Sequence, residues 1–216
     1  DFFASEGSIA TQLRHWRDRD CKDGFGHALW KQMAEMGFTG MLVDEADGGL
    51  GLGQAEANIV LEHIGRNLTP SPFLASAVLA ASALKHGGEV ARERWLPGLV
   101  AGEVVYAVAI DEGPKHRDAV ALSATRSGNG FRLSGAKRFV THGHVADLLI
   151  VAARTGGEEF AIICPEIGID GALQLADVIG LQQQAHLRDA AHGIQLHGDR
   201  LDVDDRQAGT GLAEVF

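Results

Sequence analysis

Residues 92–112 read RERWLPGLVAGEVVYAVAIDE, and the pattern of apolar residues changes within this stretch. Before Gly102 the spacing of the apolar residues is typical of a helix, with Pro97 bending or ending its regular turn. After Gly102 the run VVYAVAI is typical of a β-strand. The stretch therefore predicts a boundary between a helical part and a β part of the chain.

The β part contains short apolar segments separated by turn signals. These segments read VALSATRS, GFRLSGAKRFVT, DLLIVAA, EFAIICP and HGIQLHG, and GNG at 128–130 is a hairpin signal between the first two. Short strands with glycine-containing turns favour a barrel or a sandwich. We therefore predict an α+β protein with two domains in this chain: an N-terminal all-α helical domain over 1–103, then an antiparallel β-barrel domain over 104–216.

Helical periodicity runs through the first hundred residues. In QAEANIVLEHIGR the apolar residues Ile59, Val60 and Ile64 are expected to share one face of a helix. The stretch PFLASAVLAASALKHG, which begins at Pro72, is apolar nearly all round. Such a pattern is typical of a helix that is buried between other helices.

The composition argues against several classes of protein. The 216 residues have a net charge of −10 and a pI near 5.4, with the basic residues scattered, so we expect no nucleic-acid partner. No apolar run reaches the roughly 18 residues of a membrane span, and the start DFFASEGS is unlike a signal peptide. Cys21 and Cys164, far apart in sequence, are typical of thiols in a reducing cytoplasm, and we predict no metal site.

The stretch GGLGLG at 48–53 raises the question of phosphate binding. A glycine-rich loop can hold phosphate with its backbone N–H groups. This one lacks the preceding strand of a dinucleotide fingerprint and the Lys-Ser/Thr of a P-loop. A plain loop is therefore the favoured interpretation, with a phosphate site as the alternative.

Residues 135–147 read GAKRFVTHGHVAD, a strand that ends in an aromatic residue, a hydroxyl group and a turn. By composition alone this is an ordinary strand end. The order of several segments changes that interpretation: MGFTGMLVDEADGGLGLG, IVLEHIGR, LTPSPF, RERWLPGLVAGEVVYAVAIDE and FRLSGAKRFVTHGHVADLLIVAART. Together they resemble the acyl-CoA dehydrogenase family from about residue 10 to about residue 155, and more weakly to residue 216.

The resemblance implies a fold and a chemistry. Members of that family have an N-terminal helical domain, a middle β-barrel domain and a C-terminal four-helix bundle. They bind FAD and remove two hydrogens from the Cα–Cβ bond of an acyl-CoA thioester: a glutamate takes the α proton and the flavin takes the β hydride. The resemblance also implies that this chain holds the first two domains and that the C-terminal four-helix domain is missing. Since that domain supplies the base in most members, the catalytic residue stays unknown.

The resemblance further implies a first flavin-binding segment. Phe139, Val140 and Thr141 stand where the family usually has Trp-Ile-Thr or Trp-Ile-Ser. There the aromatic ring packs near the flavin, and the hydroxyl and the backbone contact the N5 edge. Thr141 keeps the hydroxyl and Phe139 keeps an aromatic ring.

A second flavin-binding segment is implied at 109–115. The family usually has Thr-Glu followed by Gly-Ser-Asp, and counting back without gaps from Thr141 makes Ala109 and Ile110 cofactor contacts and Lys115 a substrate contact. A gap of one or two residues would instead align Asp111-Glu112 with Thr-Glu. Ala109 offers no hydroxyl, so this segment departs from the family pattern.

Three functions are compatible with these residues. The first is an FAD-dependent acyl-CoA dehydrogenase that acts on an acyl-CoA and passes electrons to an electron-transfer flavoprotein. The second is a non-catalytic subunit that assembles with an active homologue, which the departures at 109–115 favour. The third is a flavin-dependent monooxygenase of the same fold. We expect a homo-oligomer, or a hetero-oligomer with a homologue.

Overall fold

The computed structural model describes residues 2–114, 120–127, 130–155, 160–163 and 193–196. The chain divides into two compact units, residues 1–106 and 107–216. The first unit is helical, and the second is built on a sheet. The full domain assignment, 1–103 and 104–216 with a missing C-terminal four-helix domain, stays a prediction.

The helical unit consists of short helices joined by tight turns. In chain order the segments are α1 (Phe2–Ser5), a π-helical segment (Ile9–Arg14), α2 (His15–Asp18), α3 (His27–Glu35), a 3₁₀ turn (Glu45–Asp47), α4 (Gln54–Asn67), a second π-helical segment (Leu74–Ala80), α5 (Ala81–Lys85) and α6 (Glu89–Val100). Pro97 lies inside α6, and the helix continues past it to Val100.

Local hydrogen bonds explain where α4 begins and ends. The Gly53 N–H donates to Glu56 Oε2 at 2.9 Å, which satisfies one of the N–H groups that a helix start leaves without a partner. At the other end Leu68 takes a left-handed conformation with φ of 46°, so the helix stops there. Val60 is buried as predicted, whereas Ile59 is exposed. Neighbouring helix residues point about 100° apart, so the two do not share a face.

The predicted buried helix is only partly enclosed. Ala75, Ala77 and Leu84 are buried, but Leu74 and Leu79 are exposed. On the inner side the buried Ser76 accepts a hydrogen bond from the Tyr106 N–H at 2.9 Å and donates to the Tyr106 carbonyl at 3.0 Å. The Tyr106 hydroxyl donates to the Trp95 carbonyl at 2.7 Å. These bonds join the segment to the end of the helical unit.

Six strands of the sheet lie within the described residues. They are β1 (Tyr106–Ala109), β2 (Ser123–Ser127), β3 (Gly130–Arg138), β4 (Leu148–Arg154), β5 (Phe160–Ile163) and β6 (Gly193–Leu196). Their order is β1-β4-β2-β3-β6, with β5 also paired to β4. The predicted hairpin is confirmed by the antiparallel register of β2 and β3, from Ser123↔Ser134 to Ser127↔Gly130. The sheet buries a cluster of small and aliphatic residues that includes Leu122, Leu149 and Val151.

The sheet is mixed, so the prediction of an antiparallel β-barrel was wrong in its strand direction. β3 pairs antiparallel with β2 and β6, and β4 pairs antiparallel with β5, but β2 and β4 are parallel at Ser123↔Arg154. The physical reason is the connection at 139–147. It reverses the chain after β3, and the strand that follows, β4, pairs with β2. A strand that follows two reversals runs parallel to the first. Alternation of apolar residues carries no information on this choice.

Two expectations concern absences. Within the described ranges, no helix is both long and apolar enough to cross a membrane. Among the same residues, no group of three or more His, Cys, Asp or Glu side chains is arranged to hold a metal ion.

Candidate functional site

The end of β3 presents an exposed aromatic ring. Phe139 follows the last residue of the strand and has a positive φ of 56°, while its side chain is 47% exposed. A bulky residue in the left-handed region is strained, and such strain is concentrated at binding sites. Val140 is buried and Thr141 is exposed. The three residues therefore offer a ring and a hydroxyl to the surroundings, with Val140 as the anchor.

Two glycines shape this strand end. Gly135 has φ of 143°, and a Cβ atom there would lie 2.9 Å from the Leu122 Cα, so only glycine lets the two backbones approach. At Gly143 a Cβ atom would lie 2.9 Å from Val140 Cγ1. The Gly143 N–H donates to the Val140 carbonyl at 3.0 Å, which closes the turn around Thr141.

The segment after β1 runs beside the end of β3. Ala109 is buried in β1, and the next residue, Ile110, is 43% exposed. The Arg138 N–H donates to the Asp111 carbonyl at 2.7 Å. Phe139 follows Arg138, and Ile110 precedes Asp111. This bond therefore brings together the two segments that the family resemblance implies as flavin contacts. Lys115, the predicted substrate contact, lies outside the described residues.

A buried lysine connects the same two segments, and the sequence analysis missed it. Lys137 is only 1% exposed, and its Nζ donates to the Ile110 carbonyl at 2.9 Å and to Glu112 Oε1 at 2.6 Å. A lysine is almost never fully buried unless it is paired. In the sequence Lys137 stands beside Arg138 in a strand, which gives no signal of which residue points inward.

Glu112 has further partners. Its carboxylate accepts hydrogen bonds from the Ala121 N–H and the Leu122 N–H, both at 2.8 Å. Partial burial acts to raise the pKa of Glu112, but the hydrogen bonds from Lys137, Leu122 and Ala121 and the charge of Lys137 outweigh it, so the pKa lies below its ordinary value. The carboxylate is therefore charged at neutral pH and faces a buried ammonium group.

The turn after the strand end contains two histidines. Burial, and in second place the charge of His144, lowers the pKa of His142 from 6.5 to about 4. His142 also has a positive φ of 60°. The imidazole is therefore neutral at physiological pH.

The glycine-rich loop at 48–53 does not hold phosphate with its backbone. Its N–H groups donate to acceptors of the chain itself: those of residues 48, 49, 50, 51 and 52 to the carbonyls of Glu45, Asp44, Gly40, Val43 and Met41, and that of Gly53 to the Glu56 carboxylate. A phosphate cradle needs N–H groups that point at the ligand. The favoured interpretation of a plain loop is therefore the correct one.

The strand-end residues fit the chemistry of a flavin. An isoalloxazine ring combines a flat apolar face with an edge of nitrogen and oxygen atoms. The exposed side chains of Phe139 and Ile110 provide apolar contact area, and the exposed Thr141 provides a hydroxyl that can donate to such an edge. These residue types suit a planar ring with a polar edge.

Comparison with known proteins points to the family that the sequence resembles. The acyl-CoA dehydrogenase N-terminal domain family matches residues 3–103. The acyl-CoA dehydrogenase FadE27 of Mycobacterium tuberculosis is 31% identical over 207 residues, which cover 92% of this chain and 51% of that protein.

Solved structures add the fold. A variant of the Tcur3481-Tcur3483 steroid ACAD superimposes with a TM-score of 0.66 at 29% identity, covering 76% of this chain and 44% of that chain. The ChsE4-ChsE5 complex from Mycobacterium tuberculosis gives a TM-score of 0.62 at 31% identity, covering 72% and 42%. Residues 3–103 therefore belong to the acyl-CoA dehydrogenase N-terminal domain family, and the chain as a whole is similar to acyl-CoA dehydrogenases. It spans about half the length of FadE27.

Proposed function

We propose that the protein containing this chain is an FAD-dependent acyl-CoA dehydrogenase, which removes two hydrogens from an acyl-CoA thioester and passes electrons to an electron-transfer flavoprotein. The observation that carries the proposal is the strained, exposed Phe139 with Ile110 and Thr141 nearby. Family membership supports it, because curated relatives of the chain are acyl-CoA dehydrogenases.

In this proposal each residue has a separate task. Phe139 and Ile110 pack against the ring system, Val140 anchors the strand end, and Thr141 donates its hydroxyl to the edge of the ring. The backbone of Ala109, the other predicted cofactor contact, would be close to the ring edge. When bound, FAD supplies the two-electron oxidation, so the chain's own part is to bind the ring and orient it.

A second function is favoured by a specific observation. Ala109 is buried and has no hydroxyl, so the 109–115 segment departs from the family pattern. Two of the similar structures, Tcur3481-Tcur3483 and the ChsE4-ChsE5 complex, pair two differently named proteins. The alternative proposal is a non-catalytic subunit that completes a hetero-oligomer with an active homologue.

Flavin content separates the two proposals. The complete protein is expressed alone and together with a homologue, and its flavin is measured by absorbance. Stoichiometric FAD in the protein alone, bleached by an acyl-CoA without oxygen, supports the dehydrogenase. Flavin that resides only in the partner of a mixed oligomer supports the subunit role. For the 216-residue chain by itself we expect no bound flavin.

Thr141→Ala tests the hydroxyl. Loss of one neutral hydrogen bond should weaken FAD binding by roughly two- to ten-fold. Thr125→Ala is the matched control, because Thr125 is also exposed but lies in β2. Equal FAD affinity in the two variants would show that the Thr141 hydroxyl does not contact the flavin.

A further inference from the structure

A charged group inside a sheet needs a reason. Lys137 lies near the end of β3 with 1% of its surface exposed, between Ala136 and the exposed Arg138. Burying an ammonium group costs free energy unless hydrogen bonds and an opposite charge compensate. Here the Ile110 carbonyl at 2.9 Å and the Glu112 carboxylate at 2.6 Å do so.

Both acceptors of Lys137 belong to one irregular segment. Residues 110–112 follow β1 and lie outside any strand. Glu112 is itself fixed by the N–H groups of Ala121 and Leu122, just before β2 begins. One ammonium group and one carboxylate therefore tie together the end of β3, the segment after β1 and the start of β2.

The connection bears directly on the candidate site. Lys137 is two residues before Phe139, and its carbonyl acceptor is Ile110, so the lysine fixes the separation of the two exposed apolar side chains. One residue further along each segment, the Arg138 N–H donates to the Asp111 carbonyl at 2.7 Å.

We propose that Lys137 is a positioning residue that, through Ile110 and Glu112, holds the 110–112 segment beside Phe139 in the geometry that a bound flavin ring requires. The inference rests on the proposed function. Lys137 does not touch the cofactor, since it is enclosed on all sides. Its contribution is to order the segment before the ring binds, which lowers the entropy cost of binding.

The experiment compares two variants of the complete protein that both disturb the interior of the sheet unit. Lys137→Met keeps the length of the side chain and removes its charge and both hydrogen bonds. Val151→Ala is the control, because Val151 is buried in the same unit but belongs to β4. FAD affinity, unfolding midpoint and amide exchange at Arg138 are measured for the wild type and both variants.

A positioning role predicts a dissociation constant for FAD that is roughly ten- to a hundred-fold higher in Lys137→Met, the factor expected for lost charged hydrogen bonds. Amide exchange at Arg138 in the flavin-free protein should also become faster, because its acceptor Asp111 is released. Val151→Ala should lower the unfolding midpoint and leave both of these readouts near wild type.

The outcomes are distinct. If Lys137→Met binds FAD as tightly as Val151→Ala does, the positioning role is overturned while the proposed function stands. A wild-type protein that takes up no FAD would overturn the proposed function and this inference with it. If Lys137→Met fails to fold, Glu112→Gln, which removes the opposite charge with little change of shape, is measured in its place against the same two outcomes.

Discussion

Replacing Glu112 by alanine removes the carboxylate that faces the buried ammonium group of Lys137. The lysine keeps the Ile110 carbonyl as an acceptor, but its charge stays where only 1% of its surface is exposed. The N–H of the buried Leu122 loses its acceptor at the same time. Both effects lower the stability of the folded state.

The size of the effect follows from the burial of the pair. Breaking a buried ion pair by removing one partner costs about 3–5 kcal/mol. Since the remaining lysine keeps one hydrogen bond, we expect the lower end, about 3 kcal/mol. For a chain of this length about 2–4 °C of unfolding midpoint correspond to each kcal/mol. The midpoint of Glu112→Ala should therefore fall by roughly 6–12 °C at neutral pH.

The matched control is Glu62→Ala. Glu62 pairs with Arg66 one helical turn away, but their side chains are 58% and 65% exposed. An exposed pair contributes at most about 1 kcal/mol, so the midpoint should change by less than about 4 °C. Calorimetry on the wild type and the two variants measures both changes.

The pH dependence gives a second check on the same pair. The folded-state pKa of Glu112 lies below its ordinary value of 4.5. Its contribution to stability is therefore fully present above that value and is lost as the pH falls through the lower folded-state pKa. The gap between wild type and Glu112→Ala should narrow on acidification. Equal midpoints of Glu112→Ala and Glu62→Ala at neutral pH would contradict a stabilising Glu112–Lys137 pair. A difference between wild type and Glu112→Ala that stays constant with pH would contradict it as well.

Two further predictions concern His142 and a pair of glycines. Burial, and then the charge of His144, lowers the pKa of His142 from 6.5 to about 4. As the pH falls from 6.5 to about 4, the unfolded chain therefore takes up the proton before the folded chain does, so wild-type stability should fall relative to that of His142→Gln. Stability curves that run parallel for the two proteins would contradict this. Gly65→Ala, in α4 with no atom within 4 Å of the added Cβ, should raise stability by about 0.4–1 kcal/mol. Gly135→Ala, at φ of 143° and against the Leu122 backbone, should lower stability by more than about 1 kcal/mol. If the unfolding midpoints of Gly65→Ala and Gly135→Ala shift in the same direction, backbone conformation does not decide the effect.

The partition of the chain into helices and strands could be predicted from local patterns. The change of periodicity around Gly102 lies in a turn between α6, which ends at Val100, and β1, which begins at Tyr106. The hairpin of β2 and β3 was equally local, since GNG marks a turn and the flanking residues alternate. Local propensity and nearest-neighbour pairing act within a few residues, so one sequence is enough to show them.

The amino-acid sequence is enough to show which residue types stand at the strand end: an aromatic ring, a hydroxyl and a turn glycine. Three features became visible only in the folded chain: β4 pairs in parallel with β2, Phe139 is exposed, and Lys137 rather than Arg138 points into the interior. The physical reason is common to all three. Each depends on which distant segment lies next to the strand, and neither residue type nor spacing along the chain records that neighbour.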